Sequence, residues 1–229
     1  MDFTYKEYIR ILELCKKHYF FTTYKDANMH SKEVILRHDI DLDMDKAITL
    51  ARIEKEHNVS STYFVLVTSN LYNIANKYVR DAIVDIARLG HSIGLHFDET
   101  QYAEEEIYNR VKNEKEILEK IVGHNIIVDS VSMHIPSRRT LEANYDFGND
   151  MINSYSENFF HEWKYISDSN MHWREDPFEV ISSCRYNKLH ILTHPIWYDE
   201  GFLLKENKLF NFYKKKESKL KLEINTIAP

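Results

Sequence analysis

A small set of aspartates and histidines carries side chains that could bind a metal ion or move a proton. Asp39 and Asp41 are two residues apart, so in an extended segment both carboxylates point to the same side. Two carboxylates at one place repel each other unless a cation lies there or one of them keeps its proton. A divalent metal ion would remove that repulsion, with one aspartate as its ligand and the other as the base that accepts a proton from water.

Three histidines, His96, His134 and His194, stand at the ends of later apolar runs that are typical of buried strands. The carboxyl ends of parallel strands meet on one face of an α/β protein, so we expect these side chains to share a site with the aspartates. His96 and His134 are candidate metal ligands, and His194, just before Pro195, is a candidate general acid. The alternative is a set of unrelated polar groups at the starts of loops.

Two other motifs compete for the same residues. Residues 90–94 contain the Gly-x-Ser-x-Gly pattern of serine esterases around Ser92, but that motif needs a strand before the serine and a helix after it. Here the pattern predicts the reverse order, so a serine esterase is a minor alternative. The aspartates from Asp39 onward also resemble a calcium-binding loop, which Met44 at the sixth position and Leu50 at the twelfth exclude.

The elements that would position these residues alternate along the chain, which predicts a parallel sheet in an α/β fold. The predicted strands are 34–36, 61–67, 91–96, 126–131 and 189–193. The predicted helices are 4–18, a helix capped by Asp43 or Asp45 that runs to about residue 57, 77–89 and 104–122.

Composition excludes several classes of protein. The 229 residues are 43% hydrophobic and 29% charged, as in globular proteins, and the net charge of −6 argues against a general affinity for nucleic acid. The sequence has no signal-peptide pattern and no stretch near the roughly 20 apolar residues of a membrane span. We therefore expect a cytoplasmic protein without stable membrane insertion, in which Cys15 and Cys184 are reduced.

We expect a single domain over residues 1–229, with residues 1–30 as a helical extension and 203–229 as a lysine-rich segment. Seven lysines stand among leucine, phenylalanine and isoleucine in that segment, and three glutamates interrupt them. This pattern favours the solvated face of a terminal helix or strand. A membrane-surface or nucleic-acid patch is the alternative.

With these residues in view, the chain resembles the polysaccharide deacetylases, carbohydrate esterases that share the NodB homology domain, in a divergent branch with an Arg-His-Asp-x-Asp motif. Residues 36–41 resemble the family's first motif, and residues 89–96 resemble the segment that supplies a metal histidine, at His96. Residues 132–136, 168–173 and 189–194 resemble three further motifs, the last of which carries the catalytic acid. The resemblance covers residues 34 to 197 and implies a distorted (β/α)7 barrel.

The resemblance also implies roles. Asp39 would be the catalytic base, Asp41 and His96 metal ligands, and His194 the catalytic acid. The family's two aspartates are adjacent, whereas Ile40 separates them here, so which aspartate binds the metal stays open. Thr100 stands where a second metal histidine belongs, and either His134 or Asp98 would complete the metal shell.

The sequence thus predicts a deacetylase that depends on a divalent metal, Zn²⁺ first, and removes an N- or O-acetyl group from a sugar or polysaccharide precursor. The expected substrate contacts are Arg37, Asp98, Trp173, Arg174 and Trp197. The alternatives are an inactive carbohydrate-binding relative and a metal hydrolase that acts on another amide or ester.

Overall fold

The protein folds around one parallel β-sheet in a computed structural model that describes residues 1–123 and 125–228. The sheet order is β6-β5-β4-β3-β2-β8-β7, and β1 pairs with β2 outside that path. The strands are β1 Phe20–Thr22, β2 Glu33–Ile40, β3 Thr62–Leu66, β4 Ser92–Phe97, β5 Val128–Met133, β6 Ile152–Asn153, β7 Lys164–Ser167 and β8 Lys188–Thr193. All of the described pairings are parallel, as the alternation of elements predicts.

Seven helices accompany the sheet in the described part of the chain. They are α1 Tyr5–His18, α2 Met44–Glu56, α3 Lys77–Arg88, α4 Ile107–Val122, α5 Arg138–Ala143, α6 Pro177–Ser182 and α7 Lys205–Ile227. Side-chain caps begin several of them: Thr4 accepts from the backbone of Glu7, and Asp43 accepts from the backbone of Asp45. Asp43 is therefore the cap of α2, and Asp45 lies in its first turn.

The sheet is curled and open, with β6 and β7 at its two edges. This arrangement matches the predicted distorted (β/α)7 barrel: seven strands form the curved path, and β1 is an addition. The short β1 pairs with residues 33–35 of β2, while β3 pairs with residues 37–40, so the two strands share one edge of β2. Strand β2 is thus central, and all eight of its residues are buried.

Alternate residues of β2 face two different environments. Leu36 and Ile40 pack in the apolar clusters between the sheet and the helices. Ile35 packs with Phe64 in a smaller cluster on the other side, within the curve of the sheet. Because side chains alternate along a strand, Arg37 and Asp39 share that inner side with Ile35.

The predicted strands and helices are all present, with ends shifted by a few residues. The sequence analysis did not predict five shorter elements, β1, β6, β7, α5 and α6. The lysine-rich segment forms the helix α7. Among the described helices, none combines the length and the apolar character that crossing a bilayer requires.

Candidate metal centre

Three potential ligand atoms converge at the carboxyl edge of the sheet. Asp41 Oδ1 lies 3.0 Å from His96 Nε2 and 3.3 Å from His134 Nδ1. The two histidine nitrogens are 3.1 Å apart. Asp41, His96 and His134 thus form a group of side chains that could hold a metal ion.

The strands explain why these three residues meet. His96 is near the end of β4, while Asp41 and His134 are the first residues after β2 and β5. Parallel strands bring their carboxyl ends to the same edge, so residues far apart in sequence become neighbours. The ligand set expected from the sequence, with His134 rather than Asp98 as its third member, is the one that the structure brings together.

The donor set fits a divalent ion such as zinc. One carboxylate oxygen and two imidazole nitrogens are typical of catalytic zinc sites, which keep a further position open. Ligands at the usual zinc distances lie roughly 3.3 Å apart in a tetrahedral arrangement, close to the separations found here. His96 Nδ1 lies 3.2 Å from the carbonyl oxygen of Ser132, an acceptor, so Nδ1 donates its proton there, and Nε2, which here contacts Asp41 Oδ1, would be the nitrogen that binds a metal.

The charges at this position also favour a cation. Burial raises the pKa of Asp41, but hydrogen bonds from His134 and His96 outweigh it and hold this pKa well below its usual value. The hydrogen bond and charge of Asp41 in turn raise the pKa of His134. Asp41 is therefore ionised at neutral pH, with an oxygen directed at the two imidazoles.

A second carboxylate, that of Asp39, lies beside this group and is held by Arg37. Arg37 Nε donates to Asp39 Oδ1 at 3.0 Å, and Nη2 donates to Oδ2 at 2.8 Å. Asp39 Oδ2 is also 3.8 Å from His96 Nε2. Burial raises the pKa of Asp39, but the charge of Arg37 opposes this effect, and the net result is a pKa below the usual value. This carboxylate is therefore ionised as well.

Arg37 was expected to contact substrate, but the structure instead buries it completely. Besides the two bonds to Asp39, its guanidinium donates to Ser154 Oγ at 3.0 Å and to the hydroxyl of Tyr155 at 3.1 Å. Its charge also lies 5.3 Å from the centre of the Phe64 ring. Arg37 thus positions Asp39 from the buried interior of the sheet.

His194 lies on the other side of Asp41, with Nε2 3.8 Å from Asp41 Oδ2. Its Nδ1 is 2.6 Å from Asp168 Oδ1, and its backbone N–H donates to the same carboxylate. Burial lowers the pKa of His194, but the charge and hydrogen bond of Asp168 overcome this effect and raise it to about 9. The imidazole is therefore protonated at neutral pH and presents Nε2 to the site.

The site is open on one side only. The side chains of Asp41, His134 and His194 are partly exposed, whereas those of Asp39 and His96 are nearly buried. A cavity of about 380 Å³ is lined by residues that neighbour His134 and Asp168 in sequence, but by none of the five site residues. Its lining includes Pro136, Tyr155, Phe160, Tyr165, Ser167 and Arg174. Arg174 lines this cavity, and its contact with a substrate stays a prediction.

Other expected residues lie elsewhere. The carboxylate of Asp98 accepts bonds from Thr100 and Gln101 in the turn after β4, because it caps that turn. Trp197 is 7% exposed and packs, together with part of Trp173, in the core beside α1. Ser92 begins β4 and is therefore about 13 Å along the strand from His96, so the serine esterase alternative has no support from this geometry.

From the sequence, Asp168 was assigned no role in the metal site; it was named only as the start of a motif and as a possible partner of His194 in the serine esterase alternative. Asp168 follows β7, the neighbour of β8, so its carboxylate lies beside the residue that follows β8, His194. A predicted strand at 164–167 would have identified this pair. The pairing of Arg37 with Asp39 could have been predicted from the sequence, because residues i and i+2 of a strand face the same side.

Comparison with solved structures identifies the fold. A peptidoglycan deacetylase of Bdellovibrio bacteriovorus superposes with a TM-score of 0.51 at 17% sequence identity, over 86% of this chain and 53% of that one. The chain has the fold of the carbohydrate esterase family 4 deacetylases. No protein-family model and no curated protein sequence matches the chain.

The same family 4 fold also occurs in proteins described as inactive. A CE4 family pseudoenzyme of Bacillus anthracis superposes with a TM-score of 0.50 at 14% identity, over 83% of this chain and 62% of that one. A mutant CE4 family pseudoenzyme with restored activity gives a TM-score of 0.50 at 16% identity, over 83% and 64%. The chain spans between about half and two thirds of the length of these three proteins. Because active and inactive proteins share this fold, the site residues must decide the function.

Proposed function

We propose that the protein is a metal-dependent hydrolase that removes an acetyl group from a glycan. One observation carries this proposal: Asp41 stands between a carboxylate held by an arginine and an imidazole held by an aspartate. Asp39 lies on the His96 side of the ligand group, and His194 lies at the other oxygen of Asp41. A metal position with a base and an acid on its two sides is the arrangement that hydrolysis of an amide or ester needs.

Asp41, His96 and His134 would hold the metal ion, and zinc suits their donor atoms best. A bound divalent ion would supply polarisation of the acetyl carbonyl and a lower pKa for a water molecule. The chain's own contribution is to fix the three donor atoms. The carbonyl oxygen of Ser132 does this for His96 by accepting its Nδ1 proton.

Asp39 would act as the general base. Its carboxylate is ionised, lies within 3.8 Å of a ligand nitrogen, and is kept in place by two bonds from Arg37. A carboxylate with a lowered pKa is a weak base, so it accepts a proton only from water that has itself become more acidic. Asp39 would therefore act as a base only when a metal ion is bound.

His194 would act as the general acid. With a pKa of about 9 it carries the proton that a departing amine or alkoxide must receive. Asp168 orients the ring through Nδ1, which directs the Nε2 proton toward Asp41 and the open side of the site. Proton transfer from Nε2 leaves a neutral imidazole, which regains a proton from solvent.

An acetylated glycan is the substrate class that the surroundings support. The cavity beside the site has aromatic rings from Tyr155, Phe160 and Tyr165 and a guanidinium from Arg174. Aromatic faces pack against sugar rings, and the structural neighbour from Bdellovibrio is a deacetylase of peptidoglycan, a glycan polymer. Arg174, which lines this cavity, would contact the sugar.

The test is acetate release from acetylated oligosaccharides by the zinc-loaded protein. We expect turnover by the wild-type protein, and a loss of about 10²- to 10⁴-fold in kcat for Asp39→Asn and for His194→Gln with zinc still bound. Asp98→Asn, which alters a carboxylate outside the ligand group, is the matched control and keeps its activity. Zinc binding without any acetate release would instead support the alternative that the protein is an inactive carbohydrate-binding relative. The fold that it shares with a pseudoenzyme is consistent with this alternative.

A further inference from the structure

The C-terminal helix α7 has two halves with different surroundings. Its first half is attached to the body of the protein: Lys208 is buried and donates to Asp199 at 2.9 Å, and Lys215 donates to Asp43 at 2.9 Å. In its second half, residues 218–227 are all exposed. Lys219 Nζ lies 5.6 Å from the centre of the Tyr78 ring of α3, and the residues after it present their sides to solvent.

One side of this exposed helix is apolar. Tyr213, Leu220, Ile224 and Ile227 are spaced by seven, four and three residues, and each is more than half exposed. At about 100° of rotation per residue, these four side chains fall within an arc of roughly 60°. These side chains form a contiguous exposed apolar stripe, a feature typical of surfaces that bind a partner or a membrane.

Lysines border the apolar stripe on both sides. Residues 205–227 contain seven lysines and three glutamates, a net charge of +4 in a chain whose total is −6. On the helical projection, Lys214 and Lys221 lie on one side of the stripe, and Lys216 and Lys219 lie on the other with Glu223 between them. Glu217, at the edge of the stripe, is neutralised by Lys214 at 2.9 Å and Lys221 at 2.7 Å.

We propose that residues 213–227 of α7 form an amphipathic anchor that lies flat in the surface of a bilayer containing anionic lipids. Its four apolar side chains would enter the boundary between headgroups and acyl chains, while the bordering lysines would contact the negative headgroups. This inference is independent of the proposed deacetylase activity, because it rests on a different element and is tested by binding alone.

Charge favours a lipid surface over a second copy of the chain as the occupant. Two α7 helices packed along this stripe would bring the bordering lysines of both copies together, and like charges at such positions repel. They would also enclose Glu217 between the helices. An anionic surface, by contrast, is complementary to every lysine on both borders of the stripe.

The experiment is co-sedimentation of the full chain with vesicles of phosphatidylcholine alone and of phosphatidylcholine with phosphatidylglycerol. We expect binding only to the anionic vesicles, with an affinity that falls as sodium chloride is added. Replacing Lys219 or Lys221 by glutamine weakens binding by about fivefold for each lysine.

A matched pair of substitutions tests the stripe itself. Leu220→Glu and Ile224→Glu place a charge in the stripe and abolish vesicle binding, whereas Leu222→Glu, at an equally exposed leucine on the opposite side of the helix, retains it. Two results would overturn the proposal. One is equal binding of the wild-type protein to neutral and anionic vesicles, or equal binding of all three variants to the anionic vesicles. The other is an absence of binding to the anionic vesicles; a dimer in light scattering that Leu220→Glu converts to a monomer would then identify a second copy as the occupant of the stripe.

Discussion

Asp168 holds His194 by two groups at once, the ring Nδ1 at 2.6 Å and the backbone N–H at 3.0 Å. Asp168 is fully buried, while His194 reaches the open side of the site. A buried carboxylate therefore fixes both the orientation and the charge of the exposed imidazole. In the proposed reaction, Asp168 would contribute by holding His194 and would not touch the substrate.

The first prediction concerns this pair. Asp168→Asn removes the charge that raises the pKa of His194 to about 9, so the imidazole loses its proton at lower pH. The rate of the wild-type protein falls as pH rises through about 9, because the acid is then deprotonated. In the variant this alkaline limb moves to lower pH and kcat falls by about 10²-fold or more, which pH–rate profiles measure. An unchanged alkaline limb would exclude His194 as the acid.

The second prediction concerns Arg37 and Asp39. Arg37→Met leaves a buried carboxylate without its partner, which should reduce the free energy of unfolding by about 3–5 kcal/mol. The double variant Arg37→Met, Asp39→Leu removes both charges and should lose less stability than the single variant. Urea denaturation measures both. If the double variant is as unstable as the single one, the ion pair is not the reason for the burial of Arg37.

The third prediction concerns Gly94, whose lack of a side chain leaves space for the Phe64 ring beside Arg37. A Cβ at this position would lie 2.4 Å from the Phe64 ring, whose centre is 5.3 Å from the Arg37 charge. Gly94→Ala should therefore cost about 1–3 kcal/mol of stability and displace the ring. Phe64→Leu in the same chain should recover part of that loss. Thermal unfolding of the two variants checks this, and no recovery would contradict it.

The fourth prediction concerns Glu114, a buried residue of α4. Burial raises its pKa to about 7, although Tyr102 donates to its Oε1 at 2.7 Å. Its Oε2 has no hydrogen-bond partner among the described residues. Between about pH 4.5 and 7 the unfolded chain releases this proton while the folded protein retains it, so stability falls as pH rises through that window.

Glu114→Gln cannot titrate and should gain stability relative to the wild-type protein across the same window, by about 3 kcal/mol above pH 7. Glu116→Gln, at an exposed position of the same helix, should show no such gain. Urea denaturation at pH 4.5 and pH 8 compares the variants. An equal effect of both substitutions would show that burial of Glu114 is not the cause.

The sequence predicted the long elements because their signals are strong. The buried runs at 34–36 and 189–193 are too apolar for loops, and 77–89 has a regular helical period. Strands β1 and β6, with three and two residues, are too short to show any period. They form because neighbouring strands offer free edges, which is a tertiary effect.

Those residues of the candidate site that lie at strand ends could be predicted from the sequence. Strand ends brought Asp39, Asp41, His96, His134 and His194 together, since parallel topology alone fixes that edge. Arg37 and Trp197 were assigned to substrate because residue type does not reveal burial. Their surroundings depend on side chains from distant strands and helices, which the sequence pattern does not order.

Metal binding by the three ligand residues tests the account most directly. Zinc affinity is measured by calorimetry, and metal content by elemental analysis, for the wild-type protein, Asp41→Asn, His96→Gln, His134→Gln and the control Asp98→Asn. We expect one zinc ion per chain in the wild-type protein and the control, and an affinity at least about tenfold weaker in each ligand variant. Unchanged zinc binding in both histidine variants would contradict it.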